Sequence, residues 1–258
     1  MTAPPANFPN TRVSVLMPVF NERATVERAV ARVRQVPMRM EIICVDDCSS
    51  DGTRDILTAM RNRGDIDGLI LHDINRGKGA SVRDALAAAT GDVVVIQDAD
   101  LEYDPMDILK LIGPVEDGRA DAVFGSRFKG DVSRVLYYWH SLGNWGLTTL
   151  SNMLTNLNVS DMETCYKLVR TDLMKSLPLT SDRFGFEPEL TARLAQSRAR
   201  IYEVPISYSG RTYAEGKKIR WTDGVAALWH IVKFNIFSAK APVYFRSQPS
   251  RVPTDRSI

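Results

Sequence analysis

Five short apolar runs, each closed on its carboxyl side by polar or glycine residues, constrain this chain more than any other feature of its sequence. They are Val13 to Val19, Glu41 to Val45, Leu69 to His72, Val93 to Gln97 and Ala122 to Gly125. Each is too short for a buried helix and rich in branched side chains, so each reads as a buried strand. Helical spacing fills the gaps: Val26, Ala29, Val30 and Val33 after the first run, and Val82, Leu86 and Ala89 after the third. Asp51 or Thr53 can cap the helix that runs through Met60, and Asp104-Pro105 can open another. Alternation of this kind predicts an α/β fold with a mostly parallel, doubly wound sheet flanked by helices. In such sheets ligands bind outside the carboxyl ends of the strands. Asn21-Glu22, Asp46-Asp47, Gly77-Lys78 and Asp98/Asp100 all follow strands, so one crevice should gather them.

The second half reads differently. Tyr137 to Leu157 and Val225 to Phe237 are apolar or amphipathic helices, Pro188 to Ala195 is a helix, and Thr164 to Val169 and Ile201 to Tyr208 are strands. Residues 1–11 read as a flexible leader and 239–258 as a flexible tail, which leaves 12–238 as a single domain. A net charge of +2 gives no electrostatic case for nucleic acid. Cys44, Cys48 and Cys165 form no paired motif, so neither a zinc site nor a disulfide framework is indicated, and a reducing cytosol fits. No stretch reaches the roughly 18 uninterrupted apolar residues of a spanning helix.

Asp98-Ala99-Asp100-Leu101-Glu102 carries the chemistry. Carboxylates on a tight turn make an oxygen-rich site for a hard divalent cation, Mg2+ or Mn2+. Such a cation clamps a diphosphate and neutralises its charge as it leaves. Two acids spaced like Asp98 and Asp100 are more often a capped turn; their place after the fourth strand favours the metal. Asp46-Asp47 could accept hydrogen bonds from a base or ribose, or simply form a turn. Gly77-Lys78-Gly79 lets backbone approach a ligand and adds a cation, although such turns are common. Arg211, Lys217, Lys218 and Arg220 share one glycine-bounded loop that can grip a diphosphate. Without the acidic motif that loop would read as a solvated basic segment. Arg127 and Lys129 could meet a second anion. His140 and His230 read as packing or interface residues, and Cys44 as core. Trp139, Trp145, Trp221 and Trp229 read first as core, though aromatics near Lys and Arg also suit a membrane interface.

With these residues in view, the chain resembles glycosyltransferase family 2, whose fold is GT-A. The matching stretches are Val15-Leu-Met-Pro-Val-Phe-Asn-Glu22, Val45-Asp-Asp-Cys-Ser-Ser-Asp-Gly-Thr53, Asn75-Arg-Gly-Lys-Gly79 and Asp98-Ala-Asp-Leu-Glu102. The likeness covers roughly 12–238 and is firmest through Arg127. Within the family it looks like the polyprenyl- or dolichyl-phosphate sugar synthases, on Gly125-Ser-Arg127, Cys165-Tyr-Lys167 and the loop from Arg211 to Lys218. The resemblance implies a nucleotide-sugar half, 12–130, and an acceptor half, 131–238. Pro18, Phe20 and Glu22 would line the nucleotide pocket, and Asp47 with Asp46 would hold the base or ribose. Asp98 would contact the donor, while Asp100 and Glu102 would hold Mg2+ or Mn2+. Arg127 would contact the acceptor phosphate, and Arg211 and Lys217 the donor diphosphate. Phe20 stands where many relatives have Tyr, and Glu102 where mannosyl relatives have Gln. The Gly77-Lys78-Gly79 turn leans towards UDP-glucose over GDP-mannose.

The expected function is therefore inverting, metal-dependent transfer of a hexose from a nucleotide-sugar to a polyprenyl or dolichyl phosphate. The expected place is the cytoplasmic membrane face, as a peripheral protein. Many relatives carry transmembrane helices after the catalytic domain; here the two apolar helices could rest on the bilayer instead. A first rival is a soluble transferase acting on a sugar or protein hydroxyl, with Glu163, Asp161 or Glu187 as base. A second is a nucleotide-sugar binding module without catalysis.

Overall fold

The computed structural model describes residues 11–129, 134, 137–183, 185–211 and 221–245, with the side chains of 221–223 excepted. In chain order the elements are β1 (Arg12–Val19), α1 (Val26–Arg34), β2 (Arg39–Asp46), α2 (Thr53–Arg63), β3 (Gly68–Leu71), α3 (Lys78–Ala88) and β4 (Val93–Ile96). Then come α4 (Ile108–Glu116), β5 (Ala122–Ser126), α5 (Tyr138–Thr155), β6 (Lys167–Arg170), α6 (Thr171–Ser176), α7 (Phe186–Gln196), β7 (Ile201–Pro205) and α8 (Trp221–Val232). A 3-10 turn at Pro105–Asp107 precedes α4, and a π-helical turn at Lys233–Phe237 continues α8.

The strands form one seven-stranded sheet in the order β3-β2-β1-β4-β6-β5-β7. β1 pairs in parallel with both β2 and β4. β6 alone runs against its neighbours, β4 and β5. The chain leaves β1 outward to β2 and β3, then crosses back to β4, so strand order reverses between β1 and β4. That reversal opens a crevice at the carboxyl ends of those two strands.

Why β1 reads as a continuous apolar run is now plain. Val13, Val15, Met17 and Val19 face α1, α2 and α4, whereas Leu16 faces α3, α6 and α7. With both faces covered, neither parity of the strand can be polar. One buried exception sits at the amino end of the sheet. Glu41 accepts hydrogen bonds from the Ser14 hydroxyl, the Thr90 hydroxyl at 2.8 Å and the Gly91 N–H at 3.0 Å, and pairs with Arg12 at 3.0 Å. Burial opposes its charge, but the hydrogen bonds from Ser14 and Thr90 and the Arg12 guanidinium win and hold its carboxyl below the usual range. A carboxylate depressed on folding contributes stability above its unfolded value and loses it as pH falls through the folded value. Glu41→Ala should cost about 3 kcal/mol at neutral pH. The deficit should shrink on acidification, which urea titrations at neutral pH and below pH 4 would measure.

Several boundaries differ from the sequence reading. The second strand runs through Asp46, and the third stops before His72. The Thr164 strand starts only at Lys167. The Ile201 strand ends at Pro205, with Tyr208 bridging back to Tyr103. Gly52 is the N-cap of α2, at φ 96°, while Asp51 bonds the Thr53 N–H at 3.0 Å. Within residues 239–245, Ala241 is buried and Tyr244 bonds Ser197 and Asp172, while Val243 and Phe245 are exposed. Residues 1–10 and 246–258 lie outside the described residues, and among the described ones no helix is long and apolar enough to cross a membrane.

Candidate functional site

The crevice is built from turns that hold their residues in unusual backbone. Asn21 after β1, Cys48 after β2 and Leu101 after β4 all have positive φ, 52°, 63° and 66°. Such values are uncommon outside glycine and gather at functional turns. At the β4 turn the chain reverses tightly enough for Asp100 Oδ1 to accept the Glu102 N–H at 3.1 Å. Asp98, Asp100 and Glu102 are thereby held close together. Burial first, then the Asp98 and Glu102 charges, push the Asp100 carboxyl up to about 7, against the pull of Arg211.

Arg211 answers that acidity. Its guanidinium lies 3.1 Å from Asp100, 3.3 Å from Glu102 and 3.6 Å from Glu22. The residues leading to it are strapped to the same turn. Ser209 N–H donates to the Glu102 carbonyl, Arg211 N–H to Glu102 Oε1, and the Tyr208 hydroxyl to Glu102 Oε2 at 2.7 Å. Tyr103 stacks on Tyr166 at 4.8 Å and meets Tyr208 at 5.2 Å, which braces the strap from below. Lys217, Lys218 and Arg220, expected to share the grip, lie outside the described residues.

Lys78 opens α3 and reaches across the crevice. Its Nζ lies 3.0 Å from Asp98, 2.9 Å from Glu187 and 2.8 Å from the Cys165 thiol. Burial disfavours the charge, but Asp98, Cys165 and Glu187 hold the ammonium well above its usual range. The glycines beside it also serve packing. A Cβ on Gly77 would sit 2.3 Å from the Asp182 carbonyl, and one on Gly79 2.1 Å from that of Ser181.

At the end of β2 the two aspartates divide. Asp47 is engaged internally: Oδ1 takes His72 Nδ1 and the Arg76 N–H, each at 2.8 Å, and Oδ2 takes the Gly77 N–H at 2.8 Å. Asp46 pairs with Arg54 through Oδ2 at 2.7 Å, while its buried Oδ1 has no hydrogen-bond partner among the described residues. Pro18 and Phe20 end β1 at the same rim, and Phe20 is exposed.

On the far side Arg127 forms a bidentate pair with buried Asp161, at 2.6 and 2.7 Å, and its guanidinium lies over Tyr208 at 5.1 Å. Nη1 takes no part in that pair. Lys129 pairs with Glu203 at 2.6 Å. Three tryptophans overturn the core reading: Trp139, Trp145 and Trp229 are exposed, and the side chain of Trp221 lies outside the described ones. His230 does pack, stacked on Phe234.

Sequence reasoning missed His72 and Tyr208 as parts of the site. Both were read as ordinary strand ends. Their one signal is position, each just past the carboxyl end of a strand. Among the described residues no three His, Cys, Asp or Glu form a ready-made metal cage. A magnesium-type site needs only one or two carboxylates, which share the ion with substrate phosphates. Surplus partly buried carboxylate around Asp100 suits a cation, so the donor set fits Mg2+ or Mn2+.

Comparison with known proteins agrees. A family model described as glycosyl transferase family 2 matches residues 14–177. The undecaprenyl-phosphate mannosyltransferase of Micrococcus luteus is 29% identical over 84% of this chain and 96% of its own length. The low-salt glycan biosynthesis hexosyltransferase Agl6 of Haloferax volcanii is 28% identical over 92% of this chain. The dodecaprenyl-phosphate galacturonate synthase of Rhizobium johnstonii is 27% identical over 80%. The chain spans only 55% and 61% of those last two. Glucosyl-3-phosphoglycerate synthase from Mycobacterium tuberculosis, solved with Mn2+, UDP and glucosyl-3-phosphoglycerate, superposes with a TM-score of 0.67 at 20% identity, covering 88% of this chain and 80% of that one. The fold laid around the acidic turn is thus the GT-A fold, and the chain belongs to glycosyl transferase family 2.

Proposed function

We propose that this chain transfers a hexose, with inversion, from a nucleotide-sugar to a polyprenyl phosphate, using Mg2+ or Mn2+. The observation that carries this reading is the acidic turn faced by Arg211 and Lys78 at the point where strand order reverses. Opposed charges of that kind suit a metal-bound diphosphate. The acceptor class is supported by the Micrococcus and Rhizobium relatives, whose names specify polyprenyl-phosphate products or acceptors.

Asp100 and Glu102 would hold the metal, which when bound neutralises charge on the departing diphosphate. Asp47, with Asp46, would hold the base or ribose, with Pro18, Phe20 and Glu22 at the same rim. Asp98, held by Lys78, would face the sugar. Arg127, oriented by Asp161, would offer Nη1 to the acceptor phosphate. Arg211 would contact the donor diphosphate, and Lys217 is proposed for the same role. A phosphate monoester is already largely ionised at neutral pH, its second pKa being about 6, so it needs no base. What remains for the protein is positioning and charge neutralisation. An apolar acceptor also requires a lipid surface, and the exposed faces of α5 and α8 are proposed to meet it from the cytoplasmic side. UDP-glucose is the favoured donor and GDP-mannose the next. Offering UDP-glucose, UDP-GlcNAc and GDP-mannose to the protein with Mg2+ or Mn2+ and a short polyprenyl phosphate tests the reading. No transfer from any of them would reject it.

Glu163 keeps one alternative open, transfer to a hydroxyl. Of the three candidate bases, Asp161 is taken by Arg127 and Glu187 by Lys78. Glu163 Oε1 is buried without a hydrogen-bond partner among the described residues, and burial with the Glu187 charge pushes the carboxyl up to about 7, against Lys167 and Arg127. A base must be ionised to act, so a rate that depends on Glu163 would rise through about pH 7. Under the phosphate reading, Glu163→Gln keeps its rate within about threefold and its pH profile unchanged. Loss of the rising limb together with a drop of a hundredfold or so would instead favour a hydroxyl acceptor.

A further inference from the structure

Arg211 holds a place in the crevice that suits a cation, and its guanidinium is the group that fills it. Nη2 engages Asp100 Oδ2 and Nε engages Glu102 Oε1, with Nη1 turned to Glu22. Glu102 is also fixed by bonds that do not depend on the guanidinium, the Arg211 N–H at 2.9 Å and the Tyr208 hydroxyl at 2.7 Å. The turn therefore keeps its shape whichever cation neutralises it. A dication on the same carboxylates would lie in contact range of the guanidinium, where like charges repel strongly inside a crevice shielded from water.

We propose that Arg211 is the resident counter-ion of the acidic turn, so that a divalent cation and a nucleoside diphosphate bind there as an interdependent pair. This rests on the metal site of the proposed function. A cation arriving alone must displace the guanidinium from Asp100 and Glu102 and leave it one carboxylate, Glu22, in place of three. A cation arriving with a diphosphate gives the displaced guanidinium phosphate oxygens, which it can hold in a two-pronged grip. Lys78 cannot play the same part, because Asp98 and Glu187 hold it on the other side of the turn. The coupling is reciprocal, so the metal must strengthen diphosphate binding by the same factor.

Mn2+ affinity, measured by the electron paramagnetic resonance of the free ion, reads this without catalysis. Wild-type protein should bind Mn2+ about tenfold or more tighter with UDP or GDP present than without. Arg211→Ala should bind Mn2+ alone about tenfold tighter than wild type and lose most of the coupling. Arg211→Lys, which keeps the charge but not the fork, should stay near wild type for Mn2+ alone and recover only part of the coupling. A thermal unfolding midpoint near wild type confirms that the variants are folded. Equal Mn2+ affinity with and without diphosphate in the wild type would overturn the inference, as would unchanged affinity for Mn2+ alone in Arg211→Ala. Failure of every protein to bind Mn2+ with either diphosphate would overturn the metal reading itself, and this inference with it.

Discussion

Asp100→Asn should lower sugar transfer by about a hundredfold or more while leaving the fold as stable as before. The two halves of that expectation have one cause. Asp100 lies in a partly buried turn beside Asp98 and Glu102, and desolvation with those two charges pushes its carboxyl up to about 7. A carboxylate raised on folding costs stability when it ionises, a cost that grows as pH rises from the unfolded value towards the folded one. At neutral pH the aspartate is therefore a burden on the folded protein, offset in part by Arg211 at 3.1 Å. An amide of the same size removes the charge and no core packing, so the unfolding midpoint should hold or rise slightly. Transfer suffers because the charge needed to hold a metal against a diphosphate is gone. Activity above a tenth of wild type under saturating metal, a deficit below about 1.4 kcal/mol, would contradict the metal role. A collapse of the midpoint in scanning fluorimetry would instead make Asp100 structural.

The sheet was legible because burial on both faces writes itself into β1 as an apolar run interrupted only at Ser14, and because every parallel strand delivers its polar cluster to the same edge. The direction of β6 was not. Four residues, Lys167–Arg170, carry no mark of orientation, and their pairing with β4 and β5 is set by the path of α5 before them. The site divides in the same way. Asp98, Asp100 and Glu102 sit within one turn, so spacing alone brought them together. Arg211 meets them from the far end of the chain, and its basic neighbours gave the hint. What no spacing could reveal is how Asp47 and the glycines are used. Asp47 is taken by His72, Arg76 and Gly77, and the space beside Gly79 by Ser181, contacts decided by tertiary packing.

The tryptophans were misplaced for a related reason, and they carry the second large effect. α5 is apolar over much of its surface, so its periodicity does not say which face turns inward. The structure turns it against habit: its fully buried residues are Thr148 and Ser151, while Trp139 and Trp145 stand 75% and 66% exposed. Alongside it α8 and the turn after it expose Trp229 and Phe237. Aromatic side chains this exposed on the outside of a folded chain suit a partner surface. Lipid is the partner that the proposed acceptor requires, and tryptophans suit the headgroup region where apolar burial and attraction to anionic lipid act together. Replacing Trp139 and Trp145 by Glu should cost about 2 kcal/mol of burial each, roughly a thousandfold in partitioning. In flotation with anionic liposomes at low salt, the wild type should rise with the vesicles and the double variant should stay below. The double variant's unfolding midpoint and nucleoside diphosphate affinity should match wild type, since neither side chain supports the sheet or the crevice. A concentration-dependent dimer, lost in the variant, would assign the face to self-association instead. A wild type that stays below the vesicles, with and without polyprenyl phosphate, would remove the membrane from the mechanism and turn attention to a water-soluble acceptor and to Glu163 as its base.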